Sequence, residues 1–203
     1  MEVLIRKPRN QQEYEEKIQF CISEVDRLNH MVDQLLLLAR FENQKQNVKQ
    51  ETIYLNALVL DNLTRFSEKS ENKKLKIKTE FTEDYYLISD NYLVSIIISN
   101  LISNAIKYSN PNGEIAIELG KTNDEVTFSI TDYGVGIAKN DLDKIFNSFY
   151  RSDVSNHPEI KGTGLGLSIV KRLCDLLKLE IAVESKLNQG TKFVLNFPLS
   201  KLK

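Results

Sequence analysis

From residue 11 to residue 42 the apolar positions keep a helical beat. Ile18, Cys21, Val25, Leu28, Val32, Leu35 and Ala39 follow one another at spacings of three and four. Ile22 and Leu36 widen the stripe to the broader face of a helical bundle, rather than the narrow seam of a two-stranded coil. One helix cannot bury such a stripe alone, so the pattern predicts a long helix in need of partners. Lys7-Pro8-Arg9-Asn10 ahead of it reads as a turn, which leaves Met1 to Arg6 as the expected tail of a preceding helix. The run from Glu42 to Thr52 is polar and reads as a linker, dividing the chain into a helical segment, 1–45, and a second domain, 46–203.

In the second part the period changes repeatedly. Strands are expected at 53–55, 75–81, 85–88, 114–119, 126–131, 179–185 and 192–197, and helices at 56–70, 91–109 and 167–178, with a loop-rich stretch up to Lys161. Strands come in pairs between helices, which favours an α+β fold with helices layered on one face of a mixed sheet. Phe146, Phe149 and Tyr150 are at helical spacing and are expected to anchor the adjoining loop by packing.

Composition narrows the function. Lys and Arg number 27 against 28 Asp and Glu, a formal net charge of −1, which lacks the basic excess that binding nucleic acid through its phosphates requires. The aliphatic runs Leu35–Leu38 and Ile96–Ile98 fall far short of the ~18 apolar residues of a membrane span, so the chain is expected to be soluble and cytoplasmic. Cys21 and Cys174 form no Cys-x-x-Cys pair and only two histidines are present, so neither a disulfide framework nor a zinc site is expected. Both cysteines read as core residues.

Five of the eight glycines fall in two clusters, Asp132-Tyr-Gly134-Val-Gly136-Ile137 and Gly162-Thr163-Gly164-Leu165-Gly166-Leu167. The second runs straight into an apolar helix, which puts its amides where anions bind, although a glycine-rich turn capping a helix reads equally well. It lacks the Gly-Lys-Ser/Thr of a phosphate-binding loop and the spacing of the dinucleotide fingerprint. In the strand before the first cluster, Val126, Phe128 and Ile130 alternate on one face and Asp132 ends that row. Burying a carboxylate is costly unless donors satisfy it, and either an adenine amine or nearby amides in an Asx-type turn would do so. On the helix at 91–109, Asn100, Asn104, Lys107 and Tyr108 share one face. Asparagine is a poor helix former, so a role beyond helix formation is expected for the pair; an amide oxygen suits Mg²⁺, and a lysine one turn away suits phosphate.

These motifs together carry a resemblance. Asn100-Leu-Ile-Ser-Asn104-Ala-Ile-Lys107-Tyr108-Ser, Asp132-Tyr-Gly-Val-Gly136-Ile, Phe146-Asn-Ser-Phe149-Tyr150-Arg151 and Gly162-Thr-Gly-Leu-Gly166-Leu resemble, in order, the N, G1, F and G2 boxes of bacterial sensor histidine kinases. The segment Glu24 to Arg40 is similar to the second helix of that family's dimerisation and phosphotransfer domain. The resemblance implies a Bergerat-type (GHKL) α/β sandwich that binds ATP and Mg²⁺. It implies that Asn104 is the Mg²⁺ ligand, that Asn100, Lys107 and Tyr108 line the nucleotide, and that Asp132 accepts from the adenine amine. Gly134, Gly136 and Ile137 would shape the adenine pocket. Arg151 would reach the phosphates, Gly162, Thr163, Gly164, Leu165, Gly166 and Leu167 would cradle them, and residues 152–161 would be a lid. Asn104, Lys107 and Arg151 would then be the groups acting in catalysis.

ATPases of the same superfamily carry a glutamate base where Asn100 stands, and asparagine takes no proton at neutral pH, so transfer is expected over hydrolysis. The family's phosphoacceptor histidine box is missing: His30 counts out to an outward heptad position and His157 falls in the loop beside Pro158. The chain is therefore expected to be a fragment begun inside the first bundle helix, unable to phosphorylate itself, from a parent anchored in the cell membrane. Its expected partners are a second copy through helix 11–42, a histidine on the absent helix and a response regulator. The competing functions are a catalytically silent, nucleotide-responsive dimerisation module and a GHKL ATPase.

Overall fold

The computed structural model describes residues 10–43, 48–152 and 162–199. The chain divides into two compact units, Met1–Lys45 and Gln46–Lys203. In the first, the described residues form helix α1 (Gln11–Asn43), which begins where Asn10 Oδ1 accepts from the Glu13 amide at 2.8 Å, an N-cap. Its apolar positions are open: Ile18, Ile22, Val25, Leu28, Val32 and Leu36 are each about half exposed, and Cys21 is half-buried rather than in a core. The expected helix tail at Met1–Arg6 lies outside the described residues, as do the side chains of His30, Leu35 and Ala39.

The second unit has the expected α+β layering. Strand β1 (Glu51–Tyr54) pairs antiparallel with β3 (Tyr86–Ser89) in a small ribbon. The main sheet runs β2 (Lys76–Phe81), β4 (Glu114–Lys121), β5 (Glu125–Asp132), β7 (Gly190–Pro198), β6 (Glu180–Lys186); β2 and β4 are parallel and the other pairs antiparallel. Its inner face includes the alternating row predicted for β5, and β4 and β7 alternate in the same way. Ile115, Ile117 and Leu119 on β4, Val126, Phe128 and Ile130 on β5, and Phe193, Leu195 and Phe197 on β7 are all buried. Helices α4 (Asn91–Tyr108) and α5 (Gly166–Leu177) supply the other layer through Val94, Ile97, Ile98, Leu101, Ile169, Val170 and Leu173. Cys174 joins them in the core, where burial pushes its thiol up to about 12 and leaves it unreactive.

Two elements differ from expectation. The helix expected at 56–70 is two, α2 (Leu55–Arg65) and α3 (Ser67–Asn72), broken at Phe66. Thr64 Oγ1 bonds back to Leu60 O at 3.0 Å, a contact that bends helices, and the Phe66 amide closes the turn on Leu63 O at 3.0 Å. The aromatic trio lies in loop, as expected of this stretch, but Phe149 does not pack as expected. A 3₁₀ turn (Lys139–Asp141) leads into successive tight turns, and Phe149 takes a left-handed φ of 64° with its ring exposed. Ile145, not Phe149, is the residue of this segment that is buried. The tertiary cause is the Phe149 amide's hydrogen bond to Gly164 O at 2.9 Å, which ties this segment to the second glycine cluster.

Candidate functional site

Helix α4 is anchored at both ends. Asp90 caps its start, accepting from the Leu93 amide at 3.2 Å, while the Lys73 ammonium donates to the carbonyls of Ile106, Lys107 and Ser109 at 3.0, 2.7 and 3.1 Å at its end. The apolar face enters the core, so the face carrying Asn100, Asn104, Lys107 and Tyr108 turns toward the two glycine clusters.

The fit there explains the glycines. A Cβ on Gly166 would stand 2.8 Å from Asn100 Oδ1, and one on Gly162 would stand 2.1 Å from Lys107 Nζ. Gly164, at φ 75°, would press a Cβ to 2.7 Å from the Phe149 carbonyl carbon. In the first cluster a Cβ on Gly134 would meet Tyr108 O at 1.9 Å, and one on Gly136, at φ 66°, would meet Lys186 O at 2.1 Å. At Gly134, Gly136 and Gly164 the loops lie directly on backbone, which fixes their course there, whereas Gly162 and Gly166 lie against side chains of α4.

Asp132 ends β5 only 4% exposed. Its carboxylate accepts from the Gly134 amide at 3.0 Å and from the Thr191 amide, but burial outweighs these bonds and lifts it to about 6. Both readings of this residue meet: it forms the Asx-type turn, and it also faces a cavity. The β6–β7 turn closes the loop from behind, with the Asn188 amide on Val135 O at 2.7 Å and the Ile137 amide on Ser185 Oγ at 2.8 Å.

The cavity holds about 410 Å³, within the range of small-molecule sites. Asn104, Tyr108, Asp132, Gly136, Ile137, Arg151 and Leu167 of the expected residues line it. Asn100, Lys107, Gly134, Thr163 and the other residues at 162–166 do not. Asn100 donates to Ile96 O at 2.8 Å, the Leu165 amide bonds Thr163 Oγ1 at 3.3 Å, and Leu165 is fully buried. Lys107 Nζ sits 4.9 Å from the centre of the Tyr108 ring. Burial, then the charges of Arg151 and Lys73, lower its ammonium to about 8. Burial likewise raises the Tyr108 phenol. Residues 153–161 of the expected lid, with His157, lie outside the described residues.

Sequence reasoning missed part of the wall. Asp141, Tyr150 and Ser152 contribute from the segment after β5, and Leu187, Asn188, Thr191 and Phe193 from the β6–β7 hairpin. The one available signal for the hairpin was Gly190-Thr191 at a turn, where Gly190 has φ 102°.

An arrangement with an acid at one wall, a neutral amide and an arginine at others, and a lysine close behind suits a ligand with a base and an anionic tail. Residues 89–201 match the family described as Histidine kinase-, DNA gyrase B-, and HSP90-like ATPase. The chain belongs to this family. Within it, the likeness is to the sensor histidine kinases. Over 201 residues the chain is 34% identical to the sensor protein kinase GraS of Staphylococcus aureus, covering 98% of this chain and 56% of GraS. The chain spans 35% to 56% of the length of the first curated relatives it matches. In fold it is similar to full-length ShkA solved in complex with AMPPNP, at a TM-score of 0.79 and 23% identity over 94% of this chain and 40% of ShkA. It is also similar to the histidine kinase ThkA in complex with the response regulator protein TrrA, at 0.77 and 23% over 98% of this chain and 55% of ThkA.

Proposed function

We propose that this chain is the ATP-binding catalytic part of a sensor histidine kinase, moving the γ-phosphoryl group of ATP to a histidine and supporting its relay to a response-regulator aspartate. The observation that carries the proposal is one cavity walled by both the buried acid Asp132 and the pair Asn104 and Arg151. Asp132 accepts from the adenine amine, and Tyr108 and Ile137 flank the base. Arg151 meets the phosphates, and Lys107, packed against Gly162 close behind the cavity, adds its charge.

The donor set suits Mg²⁺. Asn104 offers one neutral amide oxygen on the cavity wall, and among the described residues no group of three or more acidic, histidine or cysteine side chains could hold a metal by itself. A Mg²⁺ that keeps most of its water and shares phosphate oxygens needs no more. When bound it offsets the charge on those oxygens, while Asn104 holds it in place. Asn100 is tied to Ile96 O and has no proton-accepting function, so nothing on α4 activates water and the phosphoryl group is kept for transfer. The segment 1–45 would serve as the dimerising helix, and 46–203 as the catalytic domain. The resemblance of the fold to the ThkA–TrrA complex supports a response regulator as the downstream partner.

Calorimetric titration with ADP and with AMPPNP, with and without Mg²⁺, tests the site. Mg²⁺-dependent binding is expected in the parent chain, lost in Asn104→Ala and weakened in Asp132→Ala. Transfer of label from ATP to a separate bundle carrying an acceptor histidine tests the reaction. Tight binding without any transfer would leave a silent nucleotide-binding module.

A further inference from the structure

Among the described residues Arg151 is the one cation on the cavity wall, and it follows an exposed, left-handed Phe149 in a stretch without helix or strand. Such a residue does not hold its direction by secondary structure. Hydrogen bonds on either side of it fix the backbone that carries it. Tyr150 Oη donates to Asp141 Oδ1 at 2.7 Å, and Ser152 Oγ donates to Asp141 Oδ2. Each carboxylate oxygen therefore takes the residue on one side of Arg151.

The clamp is itself fixed. Asp141 closes the 3₁₀ turn through its amide on Ala138 O at 2.9 Å, and its carbonyl accepts from the amides of Lys144 and Ile145 at 2.8 and 3.1 Å. Ile145, the next turn on, is buried. The position is also one where an acid has a cost, because Asp141 lines the same cavity as Arg151, and a carboxylate there repels an anionic ligand. That cost is reduced when both oxygens are spent on hydrogen bonds.

We propose that Asp141 is the positioning residue of Arg151: by bracketing it between Tyr150 and Ser152, it holds the guanidinium toward the phosphate end of the cavity. The inference rests on the nucleotide reading of that cavity. The same two hydroxyl donors hold the Asp141 carboxyl below the ordinary carboxylate range, so the clamp stays ionised through neutral pH.

The test is a double-mutant cycle on the full chain, read by titration with AMPPNP and with adenosine, which lacks phosphate. Asp141→Ala is expected to weaken AMPPNP roughly tenfold and to leave adenosine within about twofold. The double variant Asp141→Ala with Arg151→Ala is expected to bind AMPPNP no more weakly than Arg151→Ala alone, since the two act as one unit. Tyr150→Phe with Ser152→Ala, which keeps the acid and removes both donors, is expected to weaken AMPPNP selectively with Arg151 present and not in an Arg151→Ala background, where a loss due to the bared carboxylate alone would persist, and it serves if Asp141→Ala does not fold. Losses that add, equal losses for adenosine, or an Arg151→Ala variant that binds like the parent would each overturn the inference. A parent chain that binds adenosine but gains nothing from the phosphates overturns it too. Binding of neither ligand by the parent chain removes the nucleotide reading itself, a separate failure.

Discussion

Two side chains in the site set a pH window. Asp132 is raised to about 6 from 3.8, so the folded chain holds that proton more tightly than the unfolded one. Its ionisation thus costs stability as pH rises between those values. A ligand amine that donates to the carboxylate favours the ionised form, so adenosine affinity is expected to rise as pH rises through about 6 and then level off. Asp132→Asn is expected to bind more weakly and to lose this dependence between pH 5 and 7. Lys107 is lowered to about 8 from 10.5, chiefly by burial, and phosphate favours its charged form. The advantage of AMPPNP over adenosine is expected to shrink as pH rises through and above about 8. Lys107→Arg keeps its charge and should hold that advantage at pH 9.5; an unchanged wild-type ratio at that pH would exclude Lys107 from phosphate binding.

At the scale of the element, α4 carries the site and Lys73 completes it. Its ammonium joins three carbonyls at the end of the helix, one turn or less from Asn104, Lys107 and Tyr108. Lys73→Met is expected to lower unfolding stability by about 1–3 kcal/mol, because charged hydrogen bonds to partly buried carbonyls are lost together. Denaturant unfolding checks this, and a change under about 0.5 kcal/mol would exclude the cap as a support of the helix. The periodicity of α4 was legible because its apolar stripe is unbroken, and its functional face was legible because two asparagines stand against propensity. Lys73 was not legible. It lies more than thirty residues from the carbonyls it binds, and a lysine in a polar run looks like any solvated one. The packing of the aromatic trio was misread for a related reason: spacing does not show that the Phe149 amide is held by Gly164 O and that its ring is left exposed.

For the molecule as a whole, the open stripe of α1 makes a prediction of its own. Ile18, Val25, Leu28 and Val32 stay about half exposed along one helix, an arrangement that costs free energy in water until another apolar surface covers it. The chain is expected to sediment as a dimer at micromolar concentration, and Val25→Glu with Leu28→Glu is expected to shift it to monomer while leaving nucleotide affinity intact. A wild-type chain that remains monomeric at high concentration would sink the idea.

What the sequence determined by itself is whatever depends on neighbours along the chain. Period-two alternation placed the buried row of β5, three-and-four spacing placed α1 and α4, and the glycine clusters marked loops that leave little room for a Cβ. Only the tertiary structure decided how the cavity closes. Asp141 reaches Tyr150 and Ser152 across the bend of a loop, and Thr191 and Asn188 come in from a hairpin nearly sixty residues beyond Asp132. Neither contact leaves a periodic trace: the first depends on the course of a loop, and the second on where β7 lies beside β5 in the sheet.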